Sequence, residues 1–441
     1  MKRYTLVCFT FLLLVSSLSS WSQAVKDSLL QQASLEDCIQ YAFKHQPALQ
    51  QSLLDEQITE RQIQGRLADW YPQVGLNYNY QYNFQLTPAY FNGTVVKTGT
   101  TDASTLGLSA TQNIFNRDAL LASRTAGDVR KQYKQATSET KIDLVVNVSK
   151  AFYDVLLSLK QIELLNDDID RLKGSLKNAR DQYEGGIVDK TDYKRATISL
   201  NNSLAEKKTA EETLKERYVY LKQQMGYTSG NDIVLLYDSV RLATEIFIDT
   251  SAAVKYDNRI EFQLLQTRKR LQAADLQYNR WSYLPTVSAF GAYNVGGFLS
   301  NSFGQLYNNN YPNSYAGLQL TFPIFQGGKR VQNIRAAELQ VKRIDWDIVA
   351  LQTSINSEYA QAMAAYKSNL NEYIVLKDNL ALAQEVYDII QTQYKAGIKT
   401  YLDVIIAESD LRTSQVNYAN ALYQLLSSKL DVQKALGDIH Y

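Results

Sequence analysis

The chain has 441 residues, with 46 Lys and Arg against 45 Asp and Glu, and so even a balance gives no electrostatic reason to bind nucleic acid. With 6 Pro, 20 Gly, 2 His and 31 Tyr, turns are few and elements long, a His-rich metal site is excluded, and the tyrosines suit strands and membrane–water interfaces. No nucleophile–base pair, phosphate loop or paired-cysteine pattern stands out, so no enzyme activity, cofactor or metal site is expected.

The first residues follow secretory signal grammar. Lys2 and Arg3 precede a short apolar stretch, Leu6 to Val15, and small residues follow. Cleavage after Ser22 is expected to leave about 419 residues with one cysteine, Cys38; a small buried residue on a helix is the reading it supports. Beyond residue 22 no run of 18 apolar residues occurs, so no transmembrane helix is predicted. The Met complement of the exported chain is Met225 and Met363, which argues against dedicated copper or silver handling.

Leu35 to Asp69 has a helical pattern. From Val74 to Phe84 the chain alternates: Val74, Leu76, Tyr78, Tyr80, Tyr82 and Phe84 share one face, and Gly75, Asn77, Asn79, Gln81 and Asn83 the other. This strand, about 73–86, pairs with a second at about 104–115 that carries Leu106, Leu108, Ala110 and Ile114. The intervening Thr87 to Asp102 reads as a long polar and aromatic loop. A helix over 116–183 follows, with Ile142, Val145, Ser149, Phe152, Leu156 and Leu159 in coiled-coil spacing. After a turn, a shorter helix covers 189–226.

A linker, 227–250, then leads into the same order again over 251–441. The strands fall at about 286–299 (Val287, Ala289, Tyr293, Val295) and 314–325 (Ala316, Leu318, Leu320, Phe322), joined by a polar and aromatic loop from Ser300 to Asn313. The second long helix, 327–394, opens on Lys329 and Arg330, read as a solvated face, and carries Ile334, Ala337, Val341, Ile344, Ile348, Leu351 and Ile355 in heptads. The last helix covers 400–436. Each long helix spans 68 residues, roughly 100 Å at the α-helical rise. One shorter helix before the strands and one after the turn would, placed end to end, match the long helix in length.

The two halves are a duplication. Tyr183-Glu-Gly-Gly186-Ile187 matches Tyr394-Lys-Ala-Gly397-Ile398 at an offset of 211, and Met225-Gly226 matches Leu436-Gly437 at the same offset. A period this long marks a doubled half-protein and not a solenoid. Four strands of about ten residues cannot close a membrane barrel, which starts at eight. Copies of the chain must share one: two copies give eight strands around an interior filled by side chains, and three give twelve, with room for polar faces to line water.

With the strand pairs, the duplication and the tips YEGGIVDKTDYKRA (183–196) and YKAGIKTYLDVIIAE (394–408), the chain resembles the TolC-like outer-membrane efflux proteins. The resemblance implies a mixed α and β fold: long antiparallel coiled-coil helices, with four strands per chain in a twelve-stranded barrel shared by a homotrimer. It also implies outer-membrane lipid around the barrel of a Gram-negative bacterium, a periplasmic tunnel, a periplasmic adaptor and an inner-membrane pump. By the same resemblance the tip glycines and their neighbours, Gly186, Ile187, Gly397 and Ile398, contact the adaptor. Asp403 falls at the family's acidic gate, and Asp192, Tyr394 and Lys399 at polar links that hold the closed state. A second gate acid is replaced here by Ile406. The alternative is an exported trimeric coiled-coil spacer of the envelope, which explains the heptads but not four amphipathic strands.

Overall fold

A computed structural model describes residues 32–186, 189–228, 233–237 and 246–441. The expected signal peptide, Ile187 and parts of the linker lie outside the described residues.

In chain order the elements are β1 (Gln32–Ala33), α1 (Leu35–His45), α2 (Pro47–Leu67), β2 (Gln73–Tyr82), β3 (Thr87–Phe91), β4 (Thr94–Thr98) and β5 (Asp102–Phe115). Then come α3 (Arg117–Glu184), α4 (Lys190–Met225), β6 (Val234–Leu235), α5 (Ile260–Arg280), β7 (Thr286–Ser300), β8 (Asn313–Thr321), α6 (Lys329–Lys395) and α7 (Tyr401–Leu436). No described helix is long and apolar enough to cross a membrane.

The helix expected to run unbroken from Leu35 divides at Gln46. Ser34 caps α1 in a capping box with Asp37. Pro47 then restarts the chain as the first residue of α2, where its missing N–H costs nothing but its ring prevents continuation from α1. α5 is the same length as α2, 21 residues.

The joint at Gln46 is where α4 ends. Gly226 takes a left-handed conformation, φ +66°, and a Cβ there would stand 2.6 Å from the His45 carbonyl oxygen, so the position requires glycine. Gln46 Nε2 donates to the Gln223 and Gln224 carbonyls at 3.3 and 2.9 Å. The second half repeats the joint: Gly437 packs on Asn258, and Arg259 Nη1 donates to the Ala435 carbonyl at 3.0 Å. Thus α2 and α4 stack end to end along α3, and α5 and α7 along α6. The main core lies around this level, with Phe152, Leu156, Tyr366 and Leu425 buried among α1, α3, α6 and α7. Tyr366 donates its hydroxyl to the Ile246 carbonyl at 3.0 Å, tying the linker down. Cys38 is buried in this core, where desolvation pushes its thiol to about 12.

Four strands form one antiparallel sheet in the order β2-β5-β7-β8. Register places Val74 opposite Ala110, Leu76 opposite Leu108 and Tyr78 opposite Leu106. Leu108 faces Tyr293, and Ala289 faces Leu318. One face is therefore apolar and open, with Val74, Leu76, Leu318 and Leu320 each at least 66% exposed. The other is polar and cross-linked: Asn77 Nδ2 donates to Ser109 Oγ at 2.7 Å, and Asn294 Nδ2 to Asn313 Oδ1 at 2.6 Å. Register shifts leave Ile114 and Val295 out of the alternation expected of them.

Two further expectations need correction. The last strand stops at Thr321, short of Phe322, because Pro323 cannot donate to a ladder. The 87–102 segment is not a plain loop: β3 and β4 form a hairpin closed by Asn92 and Gly93, both at positive φ. In residues 301–312 the aromatic side chains expected of this loop pack back on the sheet. Leu306 is fully buried, Phe303 meets the Tyr80 ring edge-on at 5.8 Å, and the Tyr307 and Tyr78 hydroxyls lie 3.0 Å apart. This segment covers the outer end of the apolar face, where Asp102 accepts the Tyr80 hydroxyl at 2.7 Å.

Candidate functional site

The far ends of the long helices, opposite the sheet, carry the two tips. α6 ends in a Schellman turn: Gly397, φ +75°, donates to the Tyr394 carbonyl, and Ile398 donates to that of Gln393, both at 2.9 Å. Gly186, φ +73°, follows the end of α3 and donates to the Tyr183 carbonyl at 3.0 Å. The turns present Ile398 outward, 73% exposed.

Asp403 and Asp192 hold the same place in their helices, the third position, 211 residues apart. Asp403 completes a capping box. Its Oδ2 accepts from the Thr400 amide and hydroxyl at 2.9 and 2.8 Å, and these bonds hold its carboxyl below the usual range, with the Lys399 charge assisting. Ile406 lies one turn on and is 53% exposed. Asp192 lies near enough to Tyr394 to add to the burial that pushes the Tyr394 hydroxyl up. Lys399 and Asp192 form no ion pair within the described residues of one chain. Tyr394 bridges α6 to α3 instead, donating to Gln182 Oε1 at 2.9 Å.

Two features here escaped the sequence reading. Tyr401 is buried at the tip against Ala179 and Ala196, and burial pushes its hydroxyl up. Small residues one helix away on each side make its slot, a pairing no local pattern announces. Second, a polar layer sits roughly 10 Å along α7 from its first residue, Tyr401, at seven residues of helical rise. Asp168 of α3 and Glu408 of α7 are 2% and 3% exposed. Asp168 accepts from Ser203 Oγ of α4 at 2.8 Å and Arg171 Nη2 at 3.4 Å, with Arg412 Nη1 at 3.7 Å. Arg412 also pairs with Glu206 at 3.0 Å. Glu408 has Arg171 Nε at 3.6 Å, but neither its carboxyl oxygens nor that Nε makes a hydrogen bond. Burial, then the Asp168 charge, raises Glu408 to about 7 against the pull of both arginines. In the heptads these residues stand among coiled-coil flanks, where charge ordinarily signals solvent.

The sheet and the two tips, one at each end of roughly 100 Å of paired helix, are the form of an outer-membrane exit-duct protomer, and the comparisons agree. Residues 38–227 and 260–438 match the family described as outer membrane efflux protein, and the chain belongs to that family. It is 25% identical over 435 residues to the outer membrane protein TolC of Escherichia coli strain K12, covering 94% of this chain and 84% of that protein. It is 23% identical over 426 residues to the probable efflux pump outer membrane protein TtgC of Pseudomonas putida, covering 90% and 84%. Among solved structures it superposes on the open-state MtrE outer membrane channel of Neisseria gonorrhoeae with a TM-score of 0.74 at 17% identity, over 91% of this chain and 88% of that one. The CusC channel gives 0.74 at 16% over 91% of each. These are outer-membrane channels, and this chain is an outer-membrane efflux channel protein of the same fold.

Proposed function

We propose that three copies of the chain form the outer-membrane exit duct of a tripartite efflux or type I secretion system. Substrates delivered by an inner-membrane pump would pass through a periplasmic adaptor into the helical tunnel and out through the barrel. The observation that carries this is the open sheet: β2 and β8 are its two edges, each with an unpaired backbone row, and its apolar face is uncovered over Val74, Leu76, Leu318 and Leu320. In lipid an unpaired edge is prohibitive, so β8 of one copy pairs with β2 of the next until the ring closes. Three copies give twelve strands with Asn77, Asn79, Asn294 and Gln319 toward water.

At the tunnel entrance three copies of Asp403 and Ile406 make an acidic ring followed by an apolar one. Asp192, Tyr394 and Lys399 support the closed tip, with Lys399 and Asp192 joined across neighbouring copies and Tyr394 joined within each. Gly186, Ile187, Gly397 and Ile398 meet the adaptor. Energy comes from the pump, and the chain itself opens and closes without chemistry. Cysteines scanned through Asn77 and Asn79 on β2, combined with Gln319→Cys on β8, test the assembly. Oxidation in outer-membrane preparations should trap a covalent ring of three that runs as a heat-modifiable trimer. Monomer throughout, from folded protein, would refute the shared barrel.

A further inference from the structure

The layer around Glu408 joins elements that need not move together. α3 pairs with α4, and α6 with α7; the contact between α3 and α7 crosses from one pair to the other. Asp168 and Arg171 come from α3, Ser203 and Glu206 from α4, Glu408 and Arg412 from α7. From α6, Tyr387 faces the same carboxylates with Asp388 beside it, and Tyr401 lies near Glu408 from below.

Hydrogen bonding, more than net charge, sets Glu408 apart in this layer. Two guanidiniums, Arg171 and Arg412, stand against three carboxyls, Asp168, Glu206 and Glu408. Asp168 and Glu206 have donors and are satisfied as anions. Glu408 is buried with no hydrogen bond on either oxygen and only Arg171 Nε beside it at 3.6 Å, so its anion would be desolvated without a hydrogen bond, a costly state for a carboxyl. With a proton on Glu408 the layer is neutral. Without it, a buried anion lacks the hydrogen bonds that water would supply if α7 separated from α3.

We propose that Asp168, Arg171, Glu408 and Arg412 form a proton-operated latch between the two helix pairs, holding the tip closed while Glu408 is protonated and releasing it when Glu408 ionises. This rests on the channel reading above. Asp403 lies five residues below Glu408 on the same helix, so a displacement of α7 at the layer reaches the entrance ring directly. One titrating group changes a closed-to-open ratio by at most tenfold per pH unit; three coupled copies raise that limit to about a thousandfold.

The test is single-channel recording of the purified protein in a planar bilayer between about pH 6 and about pH 8. Open time in the wild type should rise at least tenfold across that range. Glu408→Gln, which keeps the shape without a charge, should stay at the acid level throughout, and Glu372→Gln, an exposed carboxyl on α6 away from both the layer and the tip, should keep the wild-type rise. A flat wild-type profile, or Glu408→Gln following the wild type, would overturn the latch. Absence of any channel at every pH would instead sink the channel reading. The latch would then be judged by difference infrared spectroscopy of the folded protein. A carbonyl band from a protonated buried carboxyl should be present at the acid end, lost at the alkaline end and missing in Glu408→Gln; its absence from the wild type overturns the proposal.

Discussion

Arg259 shows how much of this fold hangs on single side chains at the joints. Its guanidinium is 5% exposed and serves Glu261, Glu358 and the Ala435 carbonyl at 3.0, 2.9 and 3.0 Å. Removing it strands the buried Ala435 carbonyl and leaves two half-buried carboxylates without their partner, which typically costs about 1 to 3 kcal/mol, so Arg259→Ala should lower the thermal midpoint of the folded chain. Arg259→Lys should recover a minority of that loss, because an ammonium cannot serve the carboxylates and the carbonyl in one plane. Gly226→Ala meets both a left-handed φ and the His45 carbonyl, and should cost more than the ~1 kcal/mol of the backbone conformation alone; a denaturant midpoint unchanged from wild type would contradict the close approach. The glycines of both joints were legible as the matched pairs Met225-Gly226 and Leu436-Gly437. Gln46 and Arg259 were not, because their partners lie 177 and 176 residues away and the two residues share no chemistry beyond donating to a carbonyl. Arg330, read as solvated, donates to the Pro323 carbonyl at 2.6 Å and stacks over Tyr283, a contact across the strand–helix corner that composition does not reveal.

At the scale of elements, the strands were legible because period two survives translation into register: Val74, Leu76 and Tyr78 face Ala110, Leu108 and Leu106 as alternation requires. What alternation does not carry is where a strand ends. Pro323 supplied that signal for β8, and the Asn92-Gly93 pair supplied the β3–β4 turn, both local chemistry outweighed by the expectation of long external loops. The two faces make opposite predictions. Leu318→Arg places a cation on the face read as lipid-exposed and should cost roughly 2 to 4 kcal/mol if near the bilayer midplane, seen as loss of membrane-extracted trimer. Gln319→Arg, one residue on, points to the other face and should assemble normally while shifting ion selectivity toward anions. Equal behaviour of the two variants would mean the faces have been assigned wrongly.

For the whole molecule, duplication and length set the architecture. Two long helices of 68 and 67 residues reach roughly 100 Å, and each is matched by two shorter helices meeting at a glycine joint. That end-to-end match was legible from lengths; the break at Pro47 and the buried layer at Glu408 were not, since both depend on which helix lies beside which. If the proposed trimer closes at its tip, Asp192→Ala combined with Lys399→Ala should loosen it and raise conductance, and an unchanged conductance would remove those residues from the gate. The most direct measurement of the central claim is the single-channel conductance of detergent-extracted wild-type protein in a planar bilayer. Discrete, small openings from a trimer are the predicted result, those of a duct closed at its helical tip. A verified folded oligomer that never inserts would contradict the account and return the molecule to the class of envelope coiled coils.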